Sequence, residues 1–426
     1  MKRRFAIAVL LCVACVLCGC NGTNRNVMEG VTMLNTLSSE KFSDEALQND
    51  EYKAAYDDFT YSFFRTVTAA DNKKNVCLSP FSAYMAFSLC FAGSDGKTAE
   101  EFKDVFGLTK EQATEYCRSL YAHFVQREYN DENTKINLAN SVWLNNADRE
   151  YVKDSYLKTA TDSFNAPIFT CDFSDKNTVD AINSWCKDNT DGLIDEIIKE
   201  LGKDQFLAII NALLVEAAWI NPYSETYGIV TDEFTDVNGK KTQQTFLQKK
   251  TEAYYYAEDA KAIMMPLRDN FSFVGILPNE DVSIEEYCAG LTTEKINKML
   301  SYSYRRAADV TTRIPKFSLD YDVDLVKIMK SMGLVEAFDG VKANFKPMAE
   351  FPGGNAFINT ALQKTHFELD ENGIKAAAVT YIGLGKNAYS GETPKKIEIF
   401  LDRPFVYMLM DNSTNLPLFV GVVNTL

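Results

Sequence analysis

Proton-transfer chemistry has little to work with in this chain. Only two histidines are present, His123 and His366. The first falls on a helical pattern and the second in an apolar strand pattern, and isolated histidines of this kind are usually structural. No HExxH, GxSxG or glycine-rich phosphate loop occurs. Cys12, Cys15 and Cys18 have the CxxCxxC spacing of a metal site, but they sit in a leader segment expected to be removed. Cys77, Cys90, Cys117, Cys171, Cys186 and Cys288 are far apart with mostly apolar flanks, so buried free thiols are expected. Export would permit disulfides, but the spacing declares none. No cluster of Cys, His and carboxylates stands out, so no metal, cofactor or catalytic residue is expected.

The modification chemistry lies at the N-terminus. Lys2, Arg3 and Arg4 precede an apolar run from Phe5 to Leu17, and Leu17-Cys18-Gly19-Cys20 looks like a bacterial lipobox. The run is too short for a membrane anchor and no stop-transfer charges follow. Residues 1–19 are therefore expected to be a lipoprotein signal peptide, with Cys20 lipidated after cleavage. Residues 20–45 are polar and without period, and are expected to be a flexible tether. Residues 46–426 show no dividing linker and no internal repeat, and are expected to be one domain. The localisation this implies is the bacterial cell envelope, as an outer-membrane lipoprotein facing the periplasm or the outside and touching the membrane through its lipid only. The formal charge is -15. No basic run or aromatic-basic patch accompanies it, which excludes nucleic acid as a partner.

A third segment could be a substrate for someone else's chemistry. DENGIKAAAVT, from Asp370 to Thr380, ends a charged edge at Gly373 and then runs through three alanines, Ala376 to Ala378. In a strand, successive side chains face opposite ways. One face would carry Ile374, Ala376, Ala378, Thr380, Ile382 and Leu384, which can be buried without stranding a charge. The other would carry Lys375, Ala377, Val379, Tyr381, Gly383 and Gly385. The same alanine run also suits an ordinary helix or an edge strand.

The elements around it alternate between helix and strand signals. Tyr52 to Thr66 has helical spacing. Ser79 is placed to cap a helix that starts at Pro80 and stops at Gly93. Thr98 and Glu101 have the spacing of a capping box. Lys135 to Leu144 alternates like a strand, and Asn177 to Asp188 reads as helix. Leu207 to Trp219 is a buried strand or a buried helix, since period alone does not decide. Asn238-Gly239 is a hairpin signal. Ala262 to Pro266, Phe271 to Pro278, Thr311 to Phe317 and Phe357 to Leu369 read as strands, and Tyr321 to Met332 as helix. Helices dominate the first half and strands the second, which points to an α+β fold with large, mostly antiparallel sheets.

From Tyr52 to Leu426 these motifs, in this order, resemble the serpin family. NVCLSPFSAYMAFSLCFAGSDGKTAEEF from Asn75 is similar to its N-x-x-x-S-P-x-S helix and the G-x-T segment after it. INSWCKDNTDGLIDEII from Ile182, IINALLVEAAW, TTRIPKFSLDYDVDLVKIMKSMGLVEAF from Thr311, and LDRPFVYMLMD with PLFVGVV match further signatures. The resemblance implies helices packed around three mostly antiparallel sheets, with an exposed reactive-centre loop at about residues 372–394. It implies a monomeric suicide inhibitor of serine, or cysteine, endopeptidases that catalyses nothing itself. Ser79, Ser82, Asn211 and Gln363 fall at the shutter beneath the main sheet, and Trp219 falls at the breach where the loop enters. Glu371, Gly373 and Ile374 with Ala376, Ala377 and Ala378 form the hinge. The family's usual interval from Gly373 puts the scissile bond at Asn387–Ala388. Lys386 would suit a trypsin-like pocket, Tyr389 a chymotrypsin-like one and Leu384 an elastase-like one.

Three positions depart from the family. Gln363 stands where His is usual, and an amide both donates and accepts. Ile374 stands where Thr or Ser is usual, and a β-branched side chain there is buried readily but stiffly. The loop is long on its far side, which blurs the cleavage point. The rival reading is a non-inhibitory serpin, or an envelope lipoprotein that binds peptide or glycan. Such a protein needs neither small residues after Gly373 nor a face that can be buried.

Overall fold

The computed structural model describes residues 28–129, 134–203, 205–224, 226, 228–374 and 395–426. In chain order the first half contains β1 (Thr32–Met33), α1 (Asp50–Ala70), β2 (Val76–Leu78), α2 (Pro80–Ala92), α3 (Gly96–Phe106) and α4 (Lys110–Phe124). It continues with β3 (Lys135–Asn145), α5 (Asp154–Phe164), β4 (Ile168–Cys171), α6 (Lys176–Asn189) and β5 (Leu207–Ala218). Then come β6 (Ile229–Thr235), β7 (Lys241–Tyr256), β8 (Ala260–Pro266), β9 (Phe271–Pro278), α7 (Ile284–Ala289) and α8 (Thr293–Met299). The last third holds β10 (Arg305–Pro315), β11 (Phe317–Asp324), α9 (Leu325–Met332), β12 (Ala361–Leu369), β13 (Gly373–Ile374), β14 (Lys396–Phe400), β15 (Phe405–Asp411) and β16 (Leu416–Val423).

The main sheet runs β1-β4-β3-β5-β13-β12-β11. The other runs β14-β10-β7-β8-β9-β15-β16-β2, with β6 added beside β7. Three sheets were expected, and the hydrogen bonds join them into two ladders. The cause is β7, a 16-residue strand whose first part pairs with β6 and whose far end pairs with β8. Its hairpin with β6 turns at Asn238-Gly239, where Gly239 has a φ of +81°.

Burial explains the ambiguous segments. Leu207–Ala218 is a strand, almost wholly buried because both faces are covered. Its odd positions, Ile209, Leu213, Val215 and Ala217, join the central core. Its even positions Ala208, Ile210 and Ala212 pack with Trp143, Phe169, Ile182 and Cys186, so α6 covers the outer face. Helix α2 is buried on every side, as expected of a helix that is apolar all round. Ser79 caps it, accepting from the Ser82 amide at 3.2 Å.

Two local expectations are corrected. Tyr321 to Asp324 is strand, and only Leu325–Met332 is helix. Phe317, Leu319, Tyr321 and Val323 are buried in strict alternation with exposed neighbours, and that period of two decides the matter. Thr98 and Glu101 form no capping box. α3 starts at Gly96, and Thr98 accepts from the Asn344 amide while Glu101 accepts from the amides of Val335 and Glu336. The capping box belongs to Thr109 and Gln112 at the start of α4.

From residue 28 onward, the segment expected as tether lies along the body. β1 pairs with the edge strand β4. Asn35 donates to Thr161 and to the Ala166 carbonyl, and the Phe42 amide donates to Gln126. These hydrogen bonds give the polar segment partners that its own sequence lacks, so it needs no apolar period to be held. Among the described residues no helix is long and apolar enough to cross a membrane.

Candidate functional site: the seam between β5 and β12

The seam has two ends. At the lower end β5 and β12 pair directly and in parallel, with Ile209 opposite Ala361 and Asn211 opposite Gln363. Among the described residues this ladder stops at Asn211–Gln363. At the upper end the chain turns over and β13 enters between the same two strands. Gly373 pairs with Ala218, and Ile374 pairs with Ala217 on one side and Leu369 on the other.

The lower end is a buried polar cluster. Ser82 Oγ donates to Asn211 Oδ1, and Asn211 Nδ2 donates to the Ser82 carbonyl at 2.7 Å and to Asn140 Oδ1. Gln363 meets both backbone groups of Ser79, accepting from its amide at 3.2 Å and donating to its carbonyl at 2.9 Å. Ser79, Ser82, Asn140, Asn211 and Gln363 are all buried. Each therefore needs the partners it has. Thr365 adds a bond to the Cys77 carbonyl at 2.8 Å. On the outer side Lys364 donates to the Glu196 carbonyl at 2.9 Å.

The upper end is built for close approach. Asp370 Oδ1 accepts from the amides of Asn372 and Gly373, which closes a tight turn. Gly373 has a φ of +152°, and a Cβ there would lie 2.2 Å from the Ala217 carbonyl oxygen. Only glycine fits. Ile374 is 2 % exposed. Trp219 holds the turn from the far side: its amide donates to the Asn372 carbonyl and its indole Nε1 to the Asp370 carbonyl, both at 2.8 Å. The Tyr223 amide donates to the Glu371 carbonyl at 2.9 Å. Lys316 lies 2.5 Å from Glu371, and this partner holds the carboxyl below its usual range against the opposing effect of burial.

Of the residues singled out from sequence, Ser79, Ser82, Asn211 and Gln363 meet at the lower end, and Glu371, Gly373, Ile374 and Trp219 at the upper. Ala376, Ala377, Ala378, Leu384, Lys386, Asn387, Ala388, Tyr389 and Cys20 lie outside the described residues. Sequence reading missed Asn140, Asp370 and Lys316. Asn140 had a visible signal, since it breaks the apolar row Ile136, Leu138, Val142 on one strand face. Asp370 also had one, in the Asp-x-Asn-Gly pattern of a side-chain-closed turn. Lys316 had none, because its partner is 55 positions away in the chain.

The histidines do not build a catalytic group. His123 Nε2 lies 3.1 Å from Asp411 and 3.3 Å from Ser413, while Ser413 donates directly to Asp411 at 2.6 Å. A serine nucleophile and its orienting carboxylate must use different imidazole nitrogens, and here both meet the same one. His366 pairs with Asp320 across the sheet at 2.8 Å. The six described cysteines are free and buried. Burial pushes their thiols up, to about 11 at Cys77 and Cys171 and about 12 at Cys117, Cys186 and Cys288, which removes the thiolate that reactivity requires. Among the described residues no group of His, Cys, Asp and Glu is placed to hold a metal.

Comparison with known proteins agrees with this architecture. Residues 54–426 match the family model described as serpin (serine protease inhibitor). The chain belongs to the serpin family, whose members are typically non-catalytic protease inhibitors. A serine protease inhibitor from Cyanea capillata is 27 % identical over 373 residues, which is 85 % of this chain and 95 % of that one. The thermophilic serpin tengpin in its native state is 30 % identical, with a TM-score of 0.79 over 92 % of this chain and 97 % of its own. Tengpin in its latent state matches with a TM-score of 0.75 over 89 % of this chain and 98 % of its own.

Proposed function

We propose that this chain is a suicide inhibitor of serine endopeptidases, or of cysteine endopeptidases, that works by inserting its reactive loop into the main sheet. The protease's hydroxyl or thiol attacks a loop carbonyl, the amine on the far side leaves, and an ester or thioester joins the two proteins. Freed at that point, the segment beyond Gly373 enters between β5 and β12 as a new strand. The added ladder and burial make the cut form the more stable one, so the uncut form persists by rate and not by equilibrium. The bond cut lies within Leu384 to Tyr389, with Asn387–Ala388 at the family's usual interval.

The observation that carries this reading is the register of Ile374. A strand continuing from it would set Ala376 between Val215 and Phe367, and Ala378 between Leu213 and Thr365, all on the inner face. Lys375 would fall on the outer face between Glu216 and Glu368. The small side chains would thus meet the core and the cation would meet carboxylates.

The test is to mix the mature chain with trypsin, chymotrypsin, elastase and papain. An adduct that survives denaturing electrophoresis supports the reading. Cleavage with every protease left active would overturn it, and would leave the non-inhibitory alternative standing. Ala376→Arg should convert inhibition into simple cleavage, because a charge would then have to enter the core.

We also propose that the chain is held at a bacterial envelope by lipid on Cys20. The support is the basic start, the short apolar run and the Leu17-Cys18-Gly19-Cys20 sequence. Fatty-acid labelling should mark the wild type and not Cys20→Ser. Equal label in both, or in neither, would remove the anchor.

A further inference from the structure

A cavity of about 510 Å³ opens beside the upper end of the seam, between Trp219 to Tyr223, the far part of β7 and the end of β8. Its volume is that of a small-molecule site. Trp219, Tyr255, Met264 and Met265 supply the apolar half of its walls, and polar and charged side chains supply the rest. Its charge runs against that of the chain, which is -15 overall. Lys249, Lys250 and Arg305 line it against one carboxylate, Glu252. Lys250 pairs with Asp309 at 3.2 Å.

Two groups in the wall are poorly satisfied. Lys249 is half-buried, and loss of water pushes its ammonium pKa down. Its head lies 2.6 Å from the Asn221 carbonyl and 4.7 Å from the centre of the Tyr223 ring, and among the described residues no carboxylate pairs with it. The Tyr223 hydroxyl is buried and has no hydrogen-bond partner among the described residues. A half-buried cation and an orphaned donor at one cavity are costly to leave as they are. An anionic group on an apolar body would relieve both at once.

We infer that this cavity binds a small organic acid, a carboxylate or sulfonate carried on an aromatic or aliphatic body, with Lys249 and the Tyr223 hydroxyl holding the acid group. Binding there acts on the hinge. The same Trp219 and Tyr223 that line the cavity bond the carbonyls of Asp370, Glu371 and Asn372. A seated ligand fixes those two residues and so holds the turn in the sheet. This link needs only the observed hydrogen bonds, and does not depend on whether the chain inhibits a protease.

The experiment is calorimetric titration of the full mature chain with three probes. These are 8-anilino-1-naphthalenesulfonate, its uncharged counterpart N-phenyl-1-naphthylamine, and dodecanoate. The two anions should bind at one site, and the neutral compound about tenfold more weakly or worse, as loss of one charge-assisted contact implies. Lys249→Met should weaken the sulfonate by a similar factor. Tyr223→Phe should weaken it by about fivefold without lowering the melting temperature, because the hydroxyl removed has no partner to lose. Neutral and anionic probes binding alike, or either variant binding as wild type, would overturn the site. Preference for the sulfonate over dodecanoate would assign an aromatic body, and the reverse an aliphatic one. Saturating sulfonate should also slow amide exchange at Trp219 and Tyr223. Unchanged exchange with tight binding would overturn the link to the hinge.

Discussion

At its lower end the β5–β12 seam is closed by side chains, and at its upper end it is entered by backbone. Below, Asn211 and Gln363 face each other in register while Ser79, Ser82 and Asn140 give both side chains buried hydrogen-bond partners. Above, Gly373 of β13 lies close against the backbone of Ala217 and Ala218, where none of the three carries more than a methyl group. The lower end resists separation because parting the strands would strand buried polar groups. The upper end tolerates it because there is little side chain in the way. One strand pair thus carries a lock and an opening three turns of the pleat apart, and the proposed insertion has to start at the second and break the first.

The sharpest way to break this comparison is Gly373→Val. The new side chain would collide with the Ala217 carbonyl and occupy a φ that valine does not adopt. The turn should leave the sheet, and amide exchange at Trp219 and Tyr223 should rise by about tenfold or more as their acceptors withdraw. Covalent capture of protease should vanish. Unchanged exchange would mean that the upper end is not held by the pairing described.

Asn211→Ala attacks the lock. It leaves the Ser82 hydroxyl and the Asn140 side-chain carbonyl short of partners, at about 1–3 kcal/mol for each group left unsatisfied. The melting temperature of the uncut chain should fall by several degrees. The nicked chain should fall less if insertion has already replaced the direct β5–β12 pairing there. An equal fall in both forms would show that the cluster supports the whole fold and not the seam.

Gln363→His tests the lock more gently. Gln363 gives Ser79 both an acceptor and a donor. A neutral imidazole has one of each, but a protonated one has two donors and no acceptor. Protonation would orphan the Ser79 amide, so the folded state should depress the histidine's pKa. Stability is then retained above the unfolded value of about 6.5 and lost as pH falls below it, by about 1 kcal/mol. The step is read as the difference between variant and wild type. A variant that matches wild type at about pH 5 would mean that Ser79 finds another partner.

Much of this arrangement was legible in sequence where local pattern and tertiary role coincide. Ser79 before Pro80 reads as a cap and is one, and the pattern at Asn238-Gly239 reads as a hairpin and is one. Reading failed where a distant partner decided. Tyr321 to Asp324 reads on into the helix that follows it, although its alternation with Phe317 and Leu319 has the period of a strand, and it pairs with β12 as one. Thr98 and Glu101 have capping-box spacing, yet each is taken by a backbone amide more than 200 positions away. Asn35 and Phe42 lie in a polar stretch with no period, and what orders them is the surface of α4, α5 and β4. The seam shows the same divide, since Gly373 was conspicuous from its neighbours while Lys316 was invisible without Glu371.

The smallest effect concerns that last pair, and it sharpens the contrast by adding a charge to the opening that the lock lacks. Lys316 holds the Glu371 carboxyl below its ordinary value of 4.5. A depressed carboxylate contributes stability that is fully present above its unfolded value and is lost as pH falls through the lower, folded one. Both side chains are one-third exposed, so solvent keeps the contribution under about 1 kcal/mol. Glu371→Gln should therefore melt slightly below wild type at neutral pH, with the difference closing as pH falls below the ordinary value of 4.5 and through the lower, folded one. Exchange at Tyr223, which donates to the Glu371 carbonyl, should quicken in wild type over that same interval. If the difference persists in acid, Glu371 acts through its packing and not through its charge. The upper end would then be fixed by geometry alone, with Gly373 and Ala217 sufficient to hold it.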